Sequence, residues 1–254
     1  LDVRVAGQNA HGVLAQSGSS LNLSGSGSVV IDAGQAGNAL RADGAGSAIV
    51  ANGLRLSTLL NGGVGAQAIN GGAVDLAGAT LYSSGVAGGN SAIGLLVSAG
   101  GTLVSRGNVI VTGVQVGTDP TLPSYGLPVD GAGNVTSNPT AFLVSGTTGA
   151  NGAQVATTGG ALWLDVDPGG ASQSTVTTIT TYGNNSSGVI AGQSASATTT
   201  LNAARTVITT NGTSSNGVLL QGTTGSTGPR ATLSQVTIRT IGLNSNAVYG
   251  QAGA

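Results

Sequence analysis

Asp165 and Asp167 stand two residues apart in Leu162-Trp-Leu-Asp-Val-Asp167, with Trp163 two residues ahead of the first carboxylate. On an extended strand such positions share a face, because successive side chains alternate sides. A carboxylate pair on an open β surface can serve as acid and base toward a glycosidic bond, or can hold Ca²⁺. The same residues also read as a strand running out into an Asp-Pro-Gly-Gly turn, where Asp is favoured for local hydrogen bonding. A polysaccharide lyase would further want a basic residue and several acids on neighbouring turns, and the sequence lines none up. His11 is the only histidine, so a Ser/His/Asp nucleophilic site would have to use it. It lies in Asn9-Ala-His-Gly12, at a corner position that aligns with Ser187, Asn216 and Asn246. With no cysteine and one histidine, metal ligands would have to be aspartates. The expectation is no metal, no cofactor and no catalytic residue.

Contact chemistry is read from Asp119, Tyr125, Asp130 and Trp163, the candidate binding residues. Three of them lie between Gly117 and Pro139, which holds Pro120, Pro123, Pro128 and Pro139. Proline cannot donate to a ladder, so this segment is expected to leave the regular structure as a surface excursion. Val114-Gln-Val116 and Ala141-Phe-Leu-Val144 flank it and could pair as its stem. Tyr and Trp are favoured where one surface grips another. Gly62-Gly63, Gly71-Gly72 and Gly100-Gly101 are not phosphate loops, since they precede strands and no lysine follows.

The elements that must position these residues are set by a repeat. Ile179-Thr-Thr-Tyr-Gly183-Asn-Asn-Ser-Ser-Gly-Val189 aligns with Ile208-Thr-Thr-Asn-Gly212-Thr-Ser-Ser-Asn-Gly-Val218 and with Ile238-Arg-Thr-Ile-Gly242-Leu-Asn-Ser-Asn-Ala-Val248. Such an interval means stacked units, each too small to bury its own apolar face. Each unit carries three apolar bursts, as in Val13-Leu-Ala15, Leu21-Asn-Leu23 and Val29-Val-Ile31. Three short strands per unit, separated by Gly/Ser/Asn corners, make one turn of a coil whose strands pair with those above and below. The fold predicted by elimination is all-β: a right-handed single-stranded parallel β-helix of roughly eight coils, one domain over 1–254 with 117–139 as an inserted loop. Alternation places Leu21/Leu23, Val29/Ile31, Leu54/Leu56, Val74/Leu76, Val109/Val111, Leu162/Leu164 and Val236/Ile238 inside. It places Asn22, Val30, Arg55, Asp75, Ile110, Trp163 and Thr237 outside. Gly34, Gly113, Gly183, Gly212 and Gly242 are expected at corners with positive φ, and Asn185, Asn216 and Asn246 as a stacked amide ladder.

Seven arginines and eight aspartates carry all the charge, a net of −1, so no field gathers nucleic acid or an anionic membrane. No apolar run is long enough for a spanning helix. With no cysteine there is no disulfide framework, which suits a chain threaded unfolded through an outer-membrane pore. The lack of a signal peptide at Leu1 and of polar capping repeats at either end suggests a piece of a longer protein.

Gly12-Val-Leu-Ala-Gln16, Gly27-Ser-Val-Val-Ile-Asp32, Gly94-Leu-Leu-Val-Ser98 and Gly217-Val-Leu-Leu-Gln221 resemble the passenger β-helix of Gram-negative autotransporters, the pertactin-like class of type V secretion. The resemblance covers nearly all of the chain outside 117–139. It implies a bacterial cell-surface or extracellular location, reached through an outer-membrane β-barrel not contained in these residues. It also implies a non-enzymatic role in adhesion, biofilm or virulence, with a host surface or matrix protein, a glycan or a second copy as partner. The family's Arg-Gly-Asp and proline repeats are not found here, nor is the serine-protease domain of some relatives. Two alternatives stay open: a carbohydrate-active β-helix using Asp165 and Asp167, and a structural stalk.

Overall fold

The computed structural model describes residues 1–33, 37–58, 63–84, 93–114, 151–155, 161–192, 199–222 and 228–251. The Pro-rich segment 117–139, with Asp119, Tyr125 and Asp130, lies outside them, as do Gly34 and most of the expected stem. Among the described residues there is no helix; every strand pairing in the sheets is parallel, and partners lie one turn apart in sequence. The chain is a parallel β-solenoid, as the repeat predicts.

Three walls run along it. The first holds Ser20–Ser24 and Ala48–Asn52 at one end, then Ala73–Ala77, Thr102–Arg106, Ala161–Leu164, Thr200–Ala204 and Arg230–Ser234. The second runs from Asp2–Ala6 through the later halves of Ser20–Ala33 and Ala48–Thr58. It continues through Thr80–Ser84, Val109–Val114, Thr178–Thr181 and Val207–Thr210 to Thr237–Thr240. The third is a separate sheet of eight strands from His11–Gln16 to Val248–Gly250, one per turn, in line with the expected coil count. The bursts at 21–23 and 29–31 are not separate strands: Ser20–Ala33 runs through both, and Ala48–Thr58 likewise, with positive φ at Gly25 and Gly53 bending the chain between walls. The first two walls therefore join into one sheet.

The core is a set of aliphatic columns, each residue stacked on its counterpart one turn away. On the second wall the column is Val3, Val29, Leu56, Leu81, Ile110, Ile179, Ile208 and Ile238. On the first, Leu21, Ile49, Val74, Leu103, Leu162, Leu201 and Ala231 do the same. Leu56, Leu81, Leu103, Ile110 and Leu162 are fully buried, each worth about 1.5–3 kcal/mol by removal from water. The tube is narrow, and glycine makes it so. A Cβ on Gly94, Gly152, Gly188 or Gly217 would stand 2.1–2.4 Å from the Cγ2 of Ile110, Ile179, Ile208 or Ile238. These glycines, the first residues of runs such as Gly94-Leu-Leu, let the third wall close against the second.

Four expectations are corrected. Ile110 faces in and Val109 faces out, because Ile110 pairs with Leu81 and Ile179; Val-Ile-Val is apolar on both sides and gives alternation no phase. Val30 is buried although its neighbours Val29 and Ile31 fill the core. Of the described corner glycines, Gly183 has positive φ, whereas Gly212 and Gly242 do not and are required by close backbone approach. The polar ladder exists with other members: Asn246 N–H and Nδ2 donate to Asn216 Oδ1, Asn216 N–H to Ser187 Oγ, and Ser187 N–H to Asn151 Oδ1. Asn185 instead takes a left-handed turn position shared with Ser214 and Asn244.

Candidate functional site

The outer face of the first wall carries one column of side chains in register: Asn22, Val50, Asp75, Val104, Trp163, Asn202 and Thr232. Trp163 is lifted outward because Leu162 and Leu164 on either side are fully buried. It remains partly exposed between Val104 and Asn202, one turn away on each side. Of the four sequence-predicted binding residues, Trp163 is the one whose surroundings are described; the structure places it with groups the sequence reading did not select.

Asp165 and Asp167 do not face together. Asp165 has φ +52, which breaks the alternation, and its carboxylate turns inward. Its Oδ1 accepts from Gly107 N–H and Thr175 Oγ1, both at 2.8 Å, and its Oδ2 accepts from Thr177 N–H. Fully buried and saturated by donors, Asp165 pins a loop that returns through a Val166–Ser172 bridge. Asp167 lies on the surface and accepts from Arg106 Nε and Nη2 at 3.1 and 3.0 Å, and from Gln173 Nε2. Arg106 Nη1 donates to Asp75.

The sequence reading found no basic residue or further acid beside the pair. The structure supplies both: Asp75, Arg106 and Asp167 come from three different turns and meet at one edge of the Trp163 wall. Burial alone would weaken the Arg106 cation, but hydrogen bonds and attraction from Asp75 and Asp167 outweigh it and raise the guanidinium pKa. Asp75 was legible as the outward residue between Val74 and Leu76. Arg106 was hidden because its partners are 31 and 61 residues away.

A second polar cluster lies on the outside of the third wall. Arg41 bonds Asp43 at 2.6 Å and Gln67 at 3.1 Å, Asn38 also donates to Gln67, and Asn70 donates to Asp43. The hydrogen bonds from Arg41 and Asn70 hold the Asp43 carboxyl below its usual range. His11 stands one turn from Asn38, in the column that ends in Ser187, Asn216 and Asn246, as the sequence alignment predicted. Burial and the nearby Arg41 charge lower its pKa against a smaller opposing pull from Asp43, and its buried Nδ1 has no hydrogen-bond partner. The imidazole is thus held toward its neutral form.

Asp2, Asp43, Asp75, Asp165 and Asp167 each accept hydrogen bonds from the protein. Among the described residues no three His, Cys, Asp or Glu side chains gather in a group that could hold a metal, and no helix is long and apolar enough to cross a membrane. The first wall can therefore offer an aromatic plane, planar polar groups and two carboxylates bridged by one arginine, a triad with one net negative charge. Compared with known proteins, the chain matches no family model, no curated protein and no solved structure.

Proposed function

We propose that this chain is a non-enzymatic interaction module, an adhesin-like rod displayed on a bacterial surface as the passenger of an autotransporter. The observation that supports it best is the outer face of the first wall. There a single tryptophan stands on a parallel sheet, next to Asn202 and on the wall whose edge carries the Asp75–Arg106–Asp167 triad. An aromatic anchor with polar groups around it suits a glycan or a protein loop. Carboxylates already committed to an arginine or to backbone donors are poorly placed to exchange protons with a substrate.

The test is a binding screen of the 254-residue chain against immobilised glycans and host matrix proteins. Trp163→Ala is expected to weaken any partner found by tenfold or more, in the manner of a contact anchor. Deletion of Pro120–Pro139 is expected to abolish binding that depends on Tyr125 or Asp130 while leaving the far-UV β spectrum intact. Binding unchanged in both variants would defeat the reading, and an empty screen would favour a stalk.

The gathering of two aspartates and an arginine from neighbouring turns favours a second reading, polysaccharide cleavage. Wild-type turnover by Asp167→Asn on every polysaccharide cleaved would remove it.

A further inference from the structure

Charge is not spread evenly along the rod. Up to Asp167 the chain carries four arginines and eight aspartates, a net of −4; after it come Arg205, Arg230 and Arg239 and no aspartate, a net of +3. Arg41 and Arg106 are each paired with aspartate. Arg205, Arg230 and Arg239 are exposed, on turns that contain no acid.

Two of the three meet the Trp163 wall. Asn202 follows Trp163 in its outward column by one turn and Thr232 follows by two, so the three side chains rise along the axis at intervals of about 4.8 Å. Arg230 stands two residues before Thr232 on the same strand and shares its face. Its counterpart one turn away is Thr200, which stands in the same relation to Asn202. Arg205 lies on the opposite flank, with φ +53, at the corner where Thr200–Ala204 passes into Val207–Thr210. Leu201, Ala203, Ala231 and Leu233 pack inward, so strand alternation alone turns Thr200, Asn202, Arg230 and Thr232 outward, whatever residues adjoin the last strand. The strip thus has an aromatic plane at one end, an amide and hydroxyls along it, and a guanidinium on each flank. Arg239 belongs to another face, in the second-wall column of Thr180 and Thr209.

A guanidinium matches a carboxylate by two parallel hydrogen bonds. The electron-rich face of an indole accepts the C–H face of a sugar ring, and amide and hydroxyl groups both donate to and accept from sugar hydroxyls. We infer that this strip binds a linear acidic glycan built of uronic acids, lying along the solenoid axis with one ring on Trp163 and its carboxylates toward Arg205 and Arg230. The inference rests on the reading of Trp163 as a contact anchor and adds the ligand class. On the other side of Trp163 stands the Asp75–Arg106–Asp167 triad, whose net negative charge repels an acidic chain. The glycan therefore runs from Trp163 toward Thr232 and not toward Asp75.

The experiment measures binding of the 254-residue chain to immobilised alginate oligosaccharides, a linear polyuronate. The same oligosaccharides esterified at their carboxyls, and polyaspartate, serve as probes without the acid and without the sugar ring. Alginate is expected to bind at least tenfold more tightly than either, and to weaken as salt rises. Arg205→Gln combined with Arg230→Gln is expected to lower alginate affinity at least tenfold, as is Trp163→Ala. Arg239→Gln, which removes a charge from the second wall, is expected to stay within twofold of the parent. All four positions face outward, so each variant should keep the far-UV β spectrum. No binding to alginate, equal binding to the ester or to polyaspartate, indifference to the double glutamine, or an equal loss in Arg239→Gln would each overturn the inference. If the ester binds as tightly as alginate and Trp163→Ala abolishes both, the acid preference falls while the interaction module stands. If Trp163→Ala changes binding to no probe, both fall.

Discussion

Gly183, Gly212 and Gly242 occupy one corner on three successive turns, yet the residue type answers two different demands there. Gly183 has φ +97, where a side chain is strained. At Gly212 the backbone angle is ordinary, but a Cβ would stand 1.8 Å from the Gly183 carbonyl oxygen. That neighbour is backbone and cannot swing aside. Gly212→Ala is therefore expected to cost on the order of 1–3 kcal/mol or more, because the turn spacing itself must shift. Gly18 is the opposite case, with φ +77 and nothing within 4 Å of a Cβ, so Gly18→Ala should cost only the left-handed penalty of about 1–2 kcal/mol. Thermal unfolding of the two variants decides it, and equal losses would mean that the turns are not packed so closely at Gly212. The sequence shows a glycine at each corner; it does not show whether torsion or proximity demands it.

At the scale of elements, the loop from Asp165 to Thr177 shows how an insertion is accommodated without disturbing the ladder. Asp165 leaves the first wall after Leu164, and its carboxylate ties the loop's far end to Gly107 and Thr177 before Thr178–Thr181 resumes the second wall. Asp165→Ala would strip the partners from two backbone N–H groups, and a loss of about 1–3 kcal/mol is expected for each buried donor so exposed. Asp167→Ala would remove a partly exposed ion pair and is expected to cost less than about 1 kcal/mol. Urea unfolding of the two variants measures the contrast, and an equal effect would contradict the pinning role. The turn that opens the loop was legible from Asp167-Pro-Gly-Gly170. That the two aspartates part company was not, because the positive φ at Asp165 cancels the alternation that put them on one face.

Over the whole molecule, each inner turn has its core shared with a turn above and a turn below, while the first and last turns share theirs on one side. Local stability should follow that arrangement. Hydrogen exchange at low concentration is expected to be fastest in peptides covering Asp2–Gln16 and Arg230–Gln251 and slowest over Ile93–Val111. Uniform exchange rates along the chain would contradict a solenoid that frays from its ends.

The sequence by itself determined the solenoid. A repeat of 29 to 30 residues, bursts of three apolar residues and glycine-rich corners leave the apolar groups nowhere to be buried except against the next turn. The interior positions of Leu54, Leu56, Val74, Leu76, Leu162 and Leu164 followed from alternation wherever a polar or bulky residue broke the apolar run. Only the tertiary structure decided what depends on the neighbouring turn: the phase of Val109-Ile-Val111, the members of the asparagine ladder, and the meeting of Asp75, Arg106 and Asp167. Alternation is a local property of the strand, whereas register between turns is settled by the best packing of whole columns, and no single triplet carries that information.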